Sequence, residues 1–202
     1  MVVHHAAMGD PLTAPSAPRP GLSTELIVDT ALRLIARDGA DSLSMRQLSA
    51  ELGVSLGATY RHVDSKDELL VLCGRRLYAR SFLERVPGSD PLVWVRDQVM
   101  HFYDLLRAHP GMADHTLFAG NVDPDLSAAV RASLVEAGHS EANVEKVGLI
   151  LTLYTAGALM AANRPTSPHP ASNTRELIVS GIDFILRSYA SDEPGSARPS
   201  EA

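Results

Sequence analysis

Few side chains in this sequence have types and spacing suited to chemistry, and they do not form a catalytic set. The single cysteine, Cys73, follows Val71-Leu72 on a helical stretch and reads as a small buried hydrophobe rather than a redox centre. One cysteine also excludes an internal disulfide framework and any cysteine-based zinc cluster. Asp97, His101 and Asp104 stand at i, i+4 and i+7, one helical face that could coordinate a metal, although an ordinary solvated face explains them equally well. His109, Asp114 and His115 are close in sequence, but no matched nucleophile accompanies them. A dinucleotide-binding Gly-x-Gly-x-x-Gly, a phosphate loop and a His-Glu-x-x-His are absent. The expectation is a protein that is not an enzyme, with no cofactor and no metal.

A different chemistry, groove reading, emerges between Ser44 and His62. Two short helical stretches are joined by a tight turn at Gly53, and Ser55 is placed to cap the second. Leu48, Leu52 and Val54 supply a small core that holds the two at a steep angle. Gly53 removes a Cβ where the backbone must turn abruptly. This is a helix-turn-helix pattern, whose second helix can enter a major groove. Any packed helical pair can imitate it.

The elements around that pattern are helical throughout. Ser23 can cap a helix with Leu26, Ile27, Thr30, Ala31, Leu34 and Ile35 on one face, ending near Gly39. A second helix runs from Ser44 with Met45, Leu48 and Leu52 inward, and a third from Ser55 to His62. Ser65-Lys66-Asp67-Glu68 is a capping box opening a fourth helix through about Arg85. Further helices fit about 90–108, 112–119, 123–137, 141–163 and 172–190. The fold class is all-α, an N-terminal helix-turn-helix domain followed by a C-terminal helical domain. The expected organisation is a Pro-rich arm over 1–20, a reader over 21–66, a helical domain over 67–190 and a tail over 191–202, the two ends being of disordered composition. A Pro-rich loop is expected over 164–170.

Composition agrees with a globular chain. The 202 residues are 45% hydrophobic and 21% charged, enough for a substantial core without staples. No apolar run is expected to approach the roughly 18 residues of a membrane span, and the start does not read as a secretion signal, so a cytoplasmic protein without membrane contact is expected. The net charge of −6 lies wholly in the second half. Residues 1–89 hold ten basic and ten acidic side chains, whereas 90–202 hold eight and fourteen. A nucleic-acid-binding first half is compatible with that split, and so is a merely solvated acidic surface.

The stretch Gly21 to Leu72 resembles the N-terminal domain of the TetR family of transcriptional regulators. The resemblance rests on Ile27, Ala31, Leu34, Gly39, Ser44-Met45-Arg46-Gln47-Leu48, Leu52-Gly53-Val54, Tyr60-Arg61-His62-Val63 and Lys66-Asp67-Glu68-Leu69-Leu70, without a gap. It implies that Arg46 meets a base or phosphate, where its fixed donors suit a bidentate contact to guanine; a surface ion pair with Glu51 or a neighbour is the alternative. It places Ser55, Leu56, Gly57, Ala58 and Thr59 in the leading turn of the recognition helix. These small and apolar residues would meet thymine methyls, a departure from more polar members of the family. Tyr60, His62 and Lys66 match phosphate-holding positions, although Tyr60 and His62 also suit packing, and Arg61 can reach a base or phosphate. Arg46, Arg61 and Lys66 are the only Lys or Arg from Ser44 to Lys66. Because affinity grows with the phosphates neutralised, tight binding to a double-stranded operator is expected to need two copies.

Beyond Leu72 the resemblance holds in outline only, through a His109-Pro110 helix end and a long late helix with Gly157. It implies a homodimer formed by the two late helices and a small-molecule effector pocket among the middle ones. Leu149, Leu153, Gly157, Met160, Ile178, Ile182 and Ile185 are the candidate dimer residues. Trp94, His101, Phe102, Tyr103, Met112, His115, Phe118 and Tyr154 are the candidate pocket residues. Each of them also has a packing explanation. The overall expectation is a ligand-responsive regulator, a repressor by the family's habit. A helical adaptor would account for the helices but not for the reader pattern.

Overall fold

A computed structural model describes residues 21–117, 123–162 and 171–189, with side chains from 175 onward in the last segment. The expected arm, the tail, the 164–170 loop and Phe118 lie outside the described residues. Within them the chain is all-α, with no strand.

The reader is built by local capping. In α1 (Thr24–Asp38) Ser23 Oγ accepts from Leu26 N at 3.3 Å, and Ile27, Ala31, Leu34 and Ile35 are buried. In α2 (Met45–Leu52) Ser44 Oγ accepts from Gln47 N at 3.2 Å. Gly53 then takes φ 69° and ψ 30°, the left-handed conformation that turns the chain into α3 (Leu56–Thr59). Only four residues of α3 are α-helical. The spiral continues to Val63 through tight bonds such as Arg61 N to Ala58 O and His62 N to Thr59 O.

The capping box opens α4 (Lys66–Ser81) reciprocally: Ser65 Oγ accepts from Glu68 N at 3.0 Å, and Glu68 Oε2 accepts from Asp64 N at 2.5 Å. The helix ends at Ser81, four residues before the sequence suggests. Side chains of α5 (Pro91–Arg107) take over its backbone partners. Gln98 Nε2 donates to Ser81 O at 2.6 Å and its Oε1 accepts from Leu83 N at 2.9 Å, while Trp94 Nε1 donates to Leu83 O. Phe82 is therefore released into an extended conformation.

The remaining helices, α6 (Ala113–Leu117), α7 (Pro124–Glu136), α8 (Glu141–Ala162) and α9 (Ala171–Ser188), complete a bundle around α5. Two features bind the reader to it. Leu69, Cys73 and Leu77 of α4 are sealed in one core with Ile27, Ala31 and Leu32 of α1. In addition, Ala40 N donates to Pro110 O at 2.9 Å, joining the turn after α1 to the turn after α5. Gly74 allows α4 to press on α6, since a Cβ there would sit 2.4 Å from the carbonyl oxygen of His115. The reader therefore contacts the bundle both through α4 and through the Ala40–Pro110 junction.

Candidate nucleic-acid interface

The packing of α2 against α3 sets which reader groups face water. Ser55 caps α3 through Ala58 N at 3.2 Å and is exposed, as are Gly57, Tyr60, Arg61 and His62. Nothing lies within 4 Å of where a Cβ on Gly57 would be. Leu56 and Ala58 are half-buried, Leu56 against the core. Thr59 corrects the sequence reading. Its side chain is fully buried, with Oγ1 2.7 Å from Ser49 Oγ, so it holds α3 to α2 and cannot face a groove.

Charge pairing sorts the basic groups. Arg37 is paired with Asp38, which also accepts from Gln47, and Arg33 donates to Thr30. Lys66 is half-buried with its Nζ 3.2 Å from Asp41 O, an intramolecular use the sequence did not indicate. Arg46 and Arg61 are exposed and have no ion pair or hydrogen bond among the described residues, so the expected alternative of an Arg46–Glu51 pair is not what the structure shows. Behind this face, Glu25 at the start of α1 is held below the usual carboxylate range. Its own backbone N–H contributes most, then the Ser23 hydroxyl, with Arg76 and His62 adding attraction.

The segment Gly53-Val54-Ser55-Leu56-Gly57 also spells Gly-x-Ser-x-Gly, the spacing of a hydrolase nucleophile elbow. That device needs a strand leading into the serine. Here a helix leads into it and Ser55 Oγ is spent on its cap.

Among the described residues, α8 and α9 leave apolar side chains exposed. Leu149, Leu153 and Met160 of α8 are exposed, as is Gly157. On α9 the sequence reading needs correction. Ile178 and Ile182 are buried in the protomer and Ile185 is half-buried, whereas Leu177 and Phe184, the latter 73% exposed, face outward. The expectation of no segment near spanning length is also corrected, since α8 is long and apolar enough by length and composition to cross a membrane. A helix apolar on all sides needs cover on all sides. Val144, Val147, Leu151 and Leu159 face its own core, and the Leu149 side is exposed among the described residues.

A cavity of about 280 Å³ opens between α4, α5, α7 and α8. Of the described residues chosen from sequence, Phe102 lines it and the others do not. Trp94 is engaged with Leu83 O, and Tyr103 is sealed with the Arg107 guanidinium 5.9 Å from its ring centre. Met112 is fully buried, and Tyr154 Oη donates to Leu177 O at 3.2 Å, spacing α8 from α9. His101 and His115 are half-buried away from the cavity, His115 where its carbonyl meets Gly74. The lining that sequence missed includes Tyr78, Leu126, Leu151 and Thr155. Asp97 and Asp104 are taken up by Arg96 and Arg175, and among the described residues no three potential metal ligands converge.

Residues 27–73 match the family described as bacterial regulatory proteins, tetR family. An HTH-type transcriptional regulator of Saccharopolyspora erythraea is 31% identical over 153 residues, covering 72% of this chain. The chain spans 63% of that regulator's length. The crystal structure of Mycobacterium smegmatis BioQ superposes with a TM-score of 0.69 over 85% of this chain and 100% of that one, at 19% identity. BioQ with its double-stranded DNA operator gives 0.64 over 84% and 99%, also at 19% identity. The Streptomyces coelicolor TetR family protein ActR, in complex with (S)-DNPA, gives 0.69 at 19% identity over 85% and 98%. At these identities the solved structures establish a shared fold.

Proposed function

We infer that this chain, which belongs to the TetR family of bacterial regulatory proteins, is a helix-turn-helix regulator that grips a pseudo-palindromic operator as a homodimer and releases it when a small molecule fills the bundle. The observation that carries this reading is the outward face of the reader. Arg46 and Arg61, the cations there without a partner among the described residues, flank the exposed start of α3. A protein that used this face only for its own stability would have paired them, as it pairs Arg37.

In this reading Arg46 supplies a bidentate or phosphate contact from α2, and Gly57 and Ala58 bring the backbone of α3 close to base edges. Tyr60, Arg61 and His62 hold phosphates beside it. Lys66 serves mainly to fix the start of α4. The uncovered face of Leu149, Leu153, Met160, Leu177 and Phe184 meets its copy in an isologous four-helix contact. That contact sets two copies of α3 one turn of duplex apart, about 34–36 Å. The relatives are regulators rather than enzymes, and such a regulator works in the cytoplasm, where the DNA is.

Effector binding changes operator affinity only by its differential affinity for two arrangements of the bundle. Gly74 against His115 and Ala40 against Pro110 are the junctions through which the arrangements differ at the reader. The test is selection of bound duplexes from a random pool, followed by gel shifts with Arg46→Ala. A palindrome with one-turn spacing is expected, and a loss of about 5- to 150-fold in affinity with the dimer intact, the equivalent of one base contact of about 1–3 kcal/mol. Unselective binding, or a half-site bound as tightly as the full operator, overturns the reading.

A further inference from the structure

If the cavity between α4 and α8 is the effector site, its walls also specify what kind of molecule enters. They are hydrocarbon from Leu126, Leu134 and Leu151, with the rings of Tyr78 and Phe102 stacked at 4.5 Å between centroids. Four hydroxyl side chains interrupt that surface, Tyr78 on α4, Ser127 on α7, and Thr152 and Thr155 on α8; Thr152 donates to Gly148 O at 2.9 Å and Ser127 is exposed, which leaves Tyr78 and Thr155 as the buried, uncommitted ones. Both side chains are more than nine-tenths buried, and neither hydroxyl has a hydrogen-bond partner among the described residues. Neither is among the polar atoms sealed off without a partner, so each keeps some accessible surface. Burial pushes the Tyr78 phenol up from its ordinary range, which keeps it neutral and able both to donate and to accept.

The two charged side chains in the lining, Arg131 and Glu145, are already neutralised. Arg131 pairs with Glu141 and lies 3.6 Å from Glu145, and all three are exposed. Gln98 is committed on both ends, to Ser81 O and Leu83 N. A charged group inside would therefore be buried without a counter-charge. A pure hydrocarbon would fill the space but leave both hydroxyls unbonded.

We propose that the cavity selects an uncharged, largely apolar molecule carrying a hydroxyl or carbonyl oxygen, held between Tyr78 and Thr155. Tyr78 is the α4 side chain in the wall. A bond to it acts on the helix whose first turn, at Lys66, follows the recognition segment.

The test uses the full chain and three probes of one shape: naphthalene, 2-naphthol and 2-naphthoate, titrated by calorimetry or fluorescence. 2-Naphthol is expected to bind about fivefold more tightly than naphthalene, and 2-naphthoate no better than naphthalene, the margin being that of one net hydrogen bond. Tyr78→Phe and Thr155→Val should each bring the naphthol-to-naphthalene ratio toward one while naphthalene affinity stays within about twofold, a pattern that loss of folding does not produce. The proposal is overturned if 2-naphthoate binds best, if both variants leave the ratio unchanged, or if none of the probes binds up to its solubility limit. Operator gel shifts on the same preparations separate the two readings. A selective cavity in a protein without operator binding removes the regulator assignment alone, and operator binding with an unselective cavity removes this proposal alone.

Discussion

Ser49 Oγ and Thr59 Oγ1 lie 2.7 Å apart with both side chains buried, so a hydroxyl pair fixes the crossing of α2 and α3. Ser49 Oγ also donates to Met45 O at 2.8 Å, which commits its one proton and makes Thr59 the donor to Ser49. The two deletions are therefore unequal. Ser49→Ala strands a buried donor and should cost about 1–3 kcal/mol. Thr59→Val keeps the shape and leaves Ser49 its bond to Met45, so it should cost less. Urea denaturation of the two variants gives the order, and operator affinity should fall in the same order because α3 loses its anchor. Equal costs would show that the pair does not act as described.

Gly74 should not tolerate a methyl group. The Cβ of an alanine there would sit 2.4 Å from the His115 carbonyl oxygen and 3.2 Å from its carbon, and neither atom can rotate away. Gly74→Ala should destabilise by about 1–3 kcal/mol, as overpacking does, because α4 must part from α6. Thermal unfolding checks this, and a variant as stable as the parent would remove the close approach from the account of signal transmission.

Gly57 is the opposite case. A Cβ there meets no protein atom within 4 Å, so Gly57→Ala should leave the fold as stable or up to about 1 kcal/mol more stable, through lower backbone entropy in the unfolded chain. The same methyl would stand between α3 and the base edges. A variant that melts no lower than the parent but loses operator binding is expected, and a variant with undiminished operator binding would move the close approach away from Gly57.

These cases mark how far the sequence could be read. The caps at Ser23, Ser44, Ser55 and Ser65 and the turn at Gly53 are signals confined to three or four residues, and such signals survive folding unchanged. Thr59 was not separable from Gly57 or Ala58 because a four-residue helix is too short to define a face, and its partner is ten residues away. The end of α4 depends on Gln98, seventeen residues from Ser81. On α9, Leu177 and Phe184 lie one residue out of phase with Ile178 and Ile182, so two apolar stripes compete and only packing chooses the inner one. The cavity is a gap between helices, formed where aliphatic and hydroxyl groups leave room, whereas Trp94 and Tyr154 spend their polar ends on backbone carbonyls.

Cys73 should be inert in the native protein. It is sealed between α4 and α1, with its thiol 3.9 Å from Val28 O, and burial pushes its pKa up to about 12, with Asp29 adding to the shift and Arg80 opposing it. The thiolate is the reactive form, so a thiol reagent at pH 8 should modify the chain in urea and not in its absence. The folded value lies above the ordinary value of 9.0. Stability tied to the neutral thiol is then complete below pH 9 and is lost as pH climbs toward 12, because the unfolded chain releases its proton first. Denaturation midpoints of Cys73→Ala should accordingly fall less steeply over that alkaline window than those of the parent.

The choice between the two stripes of α9 yields a prediction in which assembly and folding separate. Phe184 is 73% exposed in the protomer, so Phe184→Glu removes nothing from its core but sets a charge within the proposed two-fold contact. Sedimentation equilibrium should show monomers with undiminished helix content, and operator affinity should drop at least tenfold because one reader neutralises half as many phosphates. Ile182 lies at 0% exposure on the inner stripe. Ile182→Ala should instead lower unfolding stability by about 2–5 kcal/mol while the protein that remains folded stays dimeric. If Phe184→Glu remains a dimer and Ile182→Ala dissociates without unfolding, the inner and outer stripes of α9 have been assigned the wrong way round, and the spacing of the two recognition helices must be set by another surface.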